Sequence, residues 1–306
     1  MTKIFIDGSA GTTGLRIHER LSDRKDLTLL TLPDAVRKDP AARREAINGA
    51  DIVFLCLPDA AAVEAVGMIE NKNVAVIDTS TAHRTAPGWV YGFPELARRD
   101  AIAASKRIAN PGCHASGFLA LTEPLVRAGV LKKDAMLSCF SLTGYSGGGK
   151  KMIAEYEGEG RSTLLDAPRQ YGLTQGHKHL PEMMQIAGLE NAPAFCPIVG
   201  DFYSGMEVTV PVFAKDLRGT VEDIKSVYRE TYAKGLVRFA EADSEGGFLS
   251  AAAFAGRDDM EIRVNGNEER ILLVSRFDNL GKGASGAAIQ NMNILLGVEE
   301  STGLSV

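Results

Sequence analysis

Cysteine is scarce in this chain, and what there is lies scattered. The 306 residues carry four, Cys56, Cys113, Cys139 and Cys196, with no C-x-x-C pair among them. That spacing argues against a zinc ribbon or a disulfide framework and fits reduced thiols in the cytoplasm. No apolar run reaches the roughly 18 residues that span a bilayer. The first residues enter a strand pattern at once, so neither a membrane partner nor a signal peptide is expected. An excess of one charge is missing too: 34 Lys and Arg stand against 39 Asp and Glu, a net charge of -5. Nothing in that balance points to a nucleic-acid partner. Histidine is also sparse, with five in all (His18, His83, His114, His177 and His179), which keeps the set of candidate acid–base residues small.

What is present is an ordinary globular composition, 45% hydrophobic and 24% charged. The length suffices for two domains or one large one with a substantial core. Over the first 112 residues, short apolar runs alternate with helix-period segments. Strands are expected at 3–8, 27–33, 51–58, 74–80 and 106–110, and helices at 12–21 and 60–69. "DIVFLCLP" at 51–58 is a continuous apolar run of the kind a parallel strand buried on both faces requires. Alternating strand and helix implies a doubly wound parallel sheet of the Rossmann kind. Beyond residue 113 the pattern changes. A helix continues over 119–128, strands are expected at 135–143 and 206–213, and a long amphipathic helix at 221–234. Segments 261–264 and 270–277 flank "NGNEE" as an antiparallel hairpin. The second part therefore reads as α+β with a largely antiparallel sheet, and an apolar helix at 285–296 returns to the first. The expected division is residues 1–112 with 285–306 as a dinucleotide-binding domain, and 113–284 as a catalytic and oligomerisation domain.

Residues 8–14 read "GSAGTTG", between a predicted strand and a predicted helix. Glycines there let the backbone turn tightly and approach a pyrophosphate, which the free N–H groups of the helix start then bind. Gly8, Ser9, Ala10, Gly11, Thr12, Thr13 and Gly14 are the candidate cofactor contacts. Asp34 near the second strand's end suits a free ribose hydroxyl and NAD, whereas Arg37 and Lys38 just beyond suit a 2′-phosphate and NADP. The residues alone leave both open. A second cluster, "GYSGGGK" at 144–150, fits G-x-x-x-x-G-K, but Lys151 stands where a phosphate-binding loop needs Ser or Thr. A flexible loop on the substrate side is expected instead.

Cys113 follows Pro111-Gly112 and opens an apolar-periodic helix. A helix N-terminus favours the thiolate, the reactive form of cysteine; the plain alternative is a small residue packing a helix start. Cys56, Cys139 and Cys196 read as core. Residues 176–182, "GHKHLPE", group His177, His179 and Glu182 ahead of a helix whose first turn Pro181 suits. They form either an acid–base centre or an exposed polar loop. Cys113, His177 and His179 have the ligand types for zinc without a local ligand spacing, and no metal is expected. His114 adjoins the cysteine, and its side chain is expected to point elsewhere. "DTSTAHR" at 78–84 ends a predicted parallel strand, where Arg84 is placed either to bind a phosphate or as a surface arginine.

Seven marks in this order carry a resemblance: "GSAGTTG", "DTSTAHR", "YGFPEL" at 91–96, "NPGCHASG" at 110–117, "GYSGGGK", "HKHLPE" at 177–182 and "NLGKGASGAAIQNMN" at 279–293. Together they resemble the N-acetyl-gamma-glutamyl-phosphate reductases of arginine biosynthesis, in the shorter of that family's two forms, over nearly the whole chain. The aspartate-semialdehyde dehydrogenases are wider relatives. The resemblance implies Cys113 as catalytic cysteine and His179 as acid–base residue. It places Ser141, Tyr171, His177 and Glu182 near the substrate and Arg84 at its phosphate. It implies NADP as cofactor, with Asn279, Gly283, Ala284 and Asn291 of the late segment as further contacts; there Ser285 and Ala287 depart from the longer relatives' "GAAGQA". It implies a small-molecule substrate, N-acetyl-L-glutamyl 5-phosphate, and a homo-oligomer, dimer or tetramer. The alternatives are an acyl-phosphate reductase of the aspartate-semialdehyde type and a non-catalytic NADPH-binding protein.

Overall fold

A computed structural model describes residues 1–241 and 245–306. The chain divides into two compact units. One comprises Met1–Pro94, Arg98–Pro111 and Ala284–Leu304; the other comprises Glu95–Ala97, Gly112–Gly283 and Ser305–Val306.

The first unit runs β1 (Thr2–Asp7), α1 (Thr12–Ser22), β2 (Leu27–Leu30), α2 (Pro40–Gly49), β3 (Ile52–Leu55), α3 (Asp59–Gly67), β4 (Ala75–Asp78), β5 (Val90–Tyr91), α4 (Arg99–Ala104) and β6 (Arg107–Ala109). The late helix α9 (Gly286–Leu296) completes it. All its strand pairings are parallel, in the order β2-β1-β3-β4-β6-β5. Strand side chains alternate between two cores. Ile4, Ile6, Phe54 and Ile77 pack with Ile17 and Leu21 of α1 and with Ile289 and Met292 of α9. Phe5, Val53, Leu55 and Val76 pack on the other face with Ile47 of α2 and with Ala62 and Ala65 of α3. Burial on both faces explains why these strands read as continuous apolar runs. The strand order reverses at β1, with β2 on one side and β3 on the other, and ligands bind such sheets beyond the strand ends at that switch point.

The second unit carries α5 (Cys113–Arg127), β7 (Ser138–Gly144), α6 (Gly149–Glu157), β8 (Arg169–Gln170), α7 (Leu180–Ala187), β9 (Ala194–Gly200), β10 (Met206–Phe213), α8 (Val221–Thr231), β11 (Val237–Phe239), β12 (Met260–Gly266) and β13 (Arg270–Phe277). Its sheet order is β11-β12-β13-β10-β7-β9-β8. The pairs β10–β13, β10–β7, β12–β13 and β8–β9 are antiparallel, and β7–β9 and β11–β12 are parallel. The fold is thus α/β with a parallel Rossmann-like sheet, plus a mixed, mostly antiparallel α+β unit. The hairpin around "NGNEE" forms as expected: Asn267 Oδ1 accepts from the Glu269 and Arg270 amides and closes the turn.

Helix α5 packs on β10 and β13 and beside α7 and α8. Pro124 sits inside it, and a proline leaves the carbonyl four residues earlier without its helical donor. The Tyr232 hydroxyl donates to that carbonyl, Ala120 O, at 2.5 Å, and the Tyr228 hydroxyl donates to Leu121 O at 2.5 Å. Two buried phenols from α8 and its end thereby satisfy the helix that begins at Cys113. Among the described residues no helix is long and apolar enough to cross a membrane.

Candidate active site

The glycine-rich turn leaves β1 and opens α1. Gly8 has φ +90°, and a Cβ there would run into the Cys56 carbonyl just past the end of β3, so only glycine fits this crossing. A Cβ on Gly14 would meet the Gly8 carbonyl, whereas one on Gly11 would make only ordinary contact, 3.5 Å from Gly8 O. Gly11 caps α1 without a side chain, which leaves first-turn N–H groups for an anion. Beside the turn lies a cavity of about 330 Å³, walled by Asp7, Gly8, Ser9, Leu30, Leu32, Arg37 and Lys38 among others. Asp34 is exposed, paired with Arg37 at 3.5 Å, and does not wall the cavity. The two cations at the cavity, Arg37 and Lys38, fit a 2′-phosphate and so agree with NADP. Arg43 also reaches this cavity, but its guanidinium is committed to Asp7 Oδ2 at 2.9 and 3.1 Å. Burial raises the Asp7 pKa even against that partner.

In the same unit, Asn291 of α9 is fully buried. Its amide nitrogen donates to Gly92 O at 2.9 Å and to Asn110 Oδ1 at 3.2 Å, while its own Oδ1 has no partner among the described residues. A buried acceptor without a donor costs about 1–3 kcal/mol, and a carboxamide N–H of a nicotinamide would satisfy it. The glycine cradle, the cation-bearing cavity and this acceptor fit NADP. Ala284 offers its carbonyl to Asn110 Nδ2 at 3.0 Å.

Arg84 is buried, not a surface arginine. It donates to Asn110 O at 3.0 Å and Thr79 O at 3.1 Å, tying the ends of β4 and β6 together three residues ahead of Cys113 in the chain. Its neighbour His83 stacks on Trp89 with centroids 4.1 Å apart and bonds Asp78 Oδ2 through Nδ1 at 2.6 Å.

The second unit holds the cysteine. Cys113 is the first residue of α5, with Gly112 as a cap that offers no side chain. The helix start presents N–H groups without intrahelical acceptors and the positive end of the dipole. The Gly112 amide donates to Glu182 Oε1 of α7 at 2.8 Å, so Glu182 braces the residue preceding the sulfur. On another side Gly283 closes in: a Cβ there would sit 3.0 Å from Cys113 Cβ. Gly283 thus shapes the space behind the cysteine. Lys282 beside it is buried and pairs with Glu95 at 2.8 Å.

His177 and His179 precede α7, with Pro181 in its first turn. The His179 amide donates to His177 Nδ1 at 3.3 Å, and their rings lie 4.9 Å apart. His179 is buried and His177 half-buried; burial, with Lys178 nearby, lowers the His177 pKa. The expectation that the His114 side chain points elsewhere is overturned: it points into this centre, 5.5 Å from the His179 ring, 5.8 Å from His177 and 5.3 Å from Phe195. Its Nδ1 bonds Ser141 Oγ at 2.6 Å and its Nε2 bonds the Tyr171 hydroxyl at 2.7 Å. Burial, then His177, pushes its pKa down to about 3, so the imidazole is neutral. Burial and the Cys113 charge raise the Tyr171 pKa, which keeps the phenol protonated.

Two other expectations change. "GYSGGGK" is not a flexible loop. The Gly144, Tyr145 and Ser146 amides donate to Gly205, Phe202 and Tyr203 carbonyls, and the segment turns directly into α6. Asn279 is used within this unit, accepting from the Gly205 amide at 2.9 Å and donating to Ser146 Oγ at 3.0 Å. Both ends of its side chain fasten that turn. Cys56 is inert, its thiol pushed up to about 12 by burial. Among the described residues no cluster of His, Cys, Asp and Glu is placed to hold a metal ion.

The chain matches two family models, "Semialdehyde dehydrogenase, NAD binding domain" over residues 9–105 and "Semialdehyde dehydrogenase, dimerisation domain" over residues 113–279. It is 47% identical to an N-acetyl-gamma-glutamyl-phosphate reductase of Burkholderia lata, covering 97% of each chain. It is 43% identical to one of Trichormus variabilis, covering 99% of each. Among solved structures it is similar to aspartate semialdehyde dehydrogenase II of Vibrio cholerae, complexed with ASA, with TM-score 0.72 and 17% identity over 97% of this chain and 98% of that one. A Candida albicans aspartate semialdehyde dehydrogenase with NADP gives TM-score 0.67 and 17% identity over the same shares. These two likenesses speak to the fold.

Proposed function

The chain belongs to the N-acetyl-gamma-glutamyl-phosphate reductase family, and from that premise we propose that it reduces N-acetyl-L-glutamyl 5-phosphate with NADPH to N-acetyl-L-glutamate 5-semialdehyde and phosphate, a step of arginine biosynthesis, through a thioester on Cys113. The observation that carries this reading is the cysteine at the start of α5, braced through Gly112 by Glu182, with His179 two residues ahead of Pro181 at the start of α7.

The Cys113 thiolate attacks the acyl carbon, the C–O bond to the phosphate breaks, and the electron pair leaves with the phosphate. The 8–14 turn, Arg37, Lys38 and Asn291 would hold NADPH, which when bound would supply the hydride for reduction of the thioester. N–H groups at the α5 start stabilise the oxyanion at the former carbonyl. His179 gives that oxyanion a proton and takes it back as the C–S bond breaks, the aldehyde forms and the sulfur leaves as thiolate. Of the residues matched to the substrate, Tyr171 and His177 are assigned direct contact. Ser141 and Glu182 act through His114 and Gly112, and Arg84 acts by fixing Asn110.

A homo-oligomer, dimer or tetramer, is part of the proposal. Phe140, Pro211, Phe213 and Leu272 share one face of the second sheet by register, and Phe140, Phe213 and Leu272 are exposed. A second copy of the chain covering that face would bury them. Four cysteines with no disulfide among the described residues fit a cytoplasmic setting.

The test is turnover in the reverse direction, NADPH formation from N-acetyl-glutamate 5-semialdehyde plus phosphate, run beside aspartate semialdehyde. Turnover with the acetylated substrate is expected. Turnover with aspartate semialdehyde alone, or with neither while NADP binds, would overturn the reading.

A further inference from the structure

His114 follows the nucleophile in the chain and takes or gives no proton in the reaction described above, yet both its ring nitrogens are engaged inside the catalytic unit. The neutral ring carries one N–H, so one nitrogen donates and the other accepts. Two arrangements are open to it. In the first, Nδ1–H donates to Ser141 and Nε2 accepts the Tyr171 O–H. Ser141 is fully buried on β7, and His114 is its Oγ partner among the described residues. That arrangement would strand the Ser141 hydroxyl hydrogen, and a buried donor without an acceptor is costly. In the second, Ser141 O–H donates to Nδ1 and Nε2–H donates to the Tyr171 oxygen. Every buried hydrogen is then placed, and the Tyr171 O–H points onward. His114 is the second residue of α5, directly after Cys113, and its Nε2 holds that phenol at 2.7 Å, so the hydroxyl lies at the same helix start as the sulfur; the Cys113 charge also helps to raise the phenol's pKa.

We propose that Ser141 and His114 form a hydrogen-bond relay that holds Tyr171 as a donor toward the Cys113 sulfur and the oxyanion formed on its adduct. His114 and Ser141 are positioning residues, and Tyr171 is the group that meets the reacting atoms. The proposal rests on Cys113 as nucleophile but not on which acyl phosphate is the substrate. The titratable and charged groups around the relay are Cys113 on α5, Tyr171 after β8, His177, Lys178 and His179 ahead of α7, and Glu182 on α7.

The test compares Tyr171→Phe, Ser141→Ala, His114→Phe and His114→Gln in the full chain. The first readout needs no substrate: alkylation of Cys113 by iodoacetamide against pH, followed on the peptide that contains it. Losing a donor to a thiolate raises the midpoint, so Tyr171→Phe, Ser141→Ala and His114→Phe should each shift it up by about one pH unit. His114→Gln, which keeps an N–H toward Tyr171, should shift it less. The second readout is kcat, expected to fall of order 100-fold in Tyr171→Phe with KM little changed. Ser141→Ala and His114→Phe should cost little more once Tyr171 is already Phe. A Ser141→Ala enzyme with an unmoved alkylation profile, or effects of Ser141 and Tyr171 that add in full, would overturn the relay. Should His114→Phe not fold, Ser141→Ala decides alone. Loss of turnover in the unaltered enzyme with both physiological-type substrates would instead count against the proposed reaction, and the alkylation profiles would still judge the relay.

Discussion

Glu182 Oε1 accepts the Gly112 amide at 2.8 Å, so a carboxylate on α7 fixes the peptide that leads into the nucleophile at the start of α5. Both partners are buried. A near-attack geometry is sensitive to displacements of about 1 Å, and this bond sets where the Cys113 backbone begins.

Glu182→Gln keeps an oxygen to accept the Gly112 amide, and Glu182→Leu does not. Steady-state kinetics should show kcat lowered by about 100-fold in the leucine variant and by about 10-fold or less in the glutamine variant. KM for NADPH should stay in place in both. Equal losses in the two would mean that the carboxylate charge, not the acceptor, matters.

Arg37 and Lys38 wall the cavity beside the 8–14 turn. Replacing both with Ala should weaken NADPH binding by at least about tenfold, one charge-assisted contact's worth, while NADH binding stays near its starting value. Fluorescence titration of both cofactors gives the ratio directly. A parallel loss for NADH would place the cations elsewhere in cofactor recognition.

Much of this was legible in the sequence for a physical reason. The 8–14 turn is written in glycines because backbone meets backbone there, and the Gly8 crossing over Cys56 admits nothing larger. The parallel strands showed as apolar runs because both faces are covered. Cys113 stood out because a proline-glycine pair and a helix start frame it. Long-range pairings were not legible. His114 is next to Cys113 in sequence, but its partners Ser141 and Tyr171 come from β7 and from the end of β8. The glycines at 144–149 suggested flexibility, because the carbonyls that fasten the turn lie near residue 203. Strand β9 was not anticipated: Pro197 interrupts its pattern, and its place beside the short edge strand β8 tolerates the missing N–H.

Tyr232→Phe removes the donor to Ala120 O, the carbonyl that Pro124 leaves open. Urea unfolding should show a loss of about 1–3 kcal/mol. Pro124→Ala supplies a backbone N–H for the same carbonyl, so in that background Tyr232→Phe should cost clearly less. Additive effects would show that the two do not share the carbonyl.

His114 is neutral in the folded protein, its pKa lowered from 6.5 to about 3, and the His177 pKa is lowered as well. Between pH 6.5 and 3 the unfolded chain binds protons that the folded one refuses. Their contribution to stability is therefore present above pH 6.5 and lost as pH falls toward 3. Thermal melts between pH 7 and pH 4 should drop more steeply for the unaltered protein than for His114→Gln. Identical slopes would show that His114 takes up its proton in the folded state over this range.

Covalent chemistry at Cys113 is the step that the proposed reaction requires. The direct measurement is the intact mass of the enzyme mixed with N-acetyl-L-glutamyl 5-phosphate in the absence of NADPH, with peptide mapping of the product. The predicted result is phosphate release accompanied by one N-acetylglutamyl adduct per chain on Cys113, absent in Cys113→Ser, which still binds NADPH. Reduction of the acyl phosphate at a near-normal rate by Cys113→Ser, or turnover with no adduct on Cys113 under any trapping condition, would contradict it.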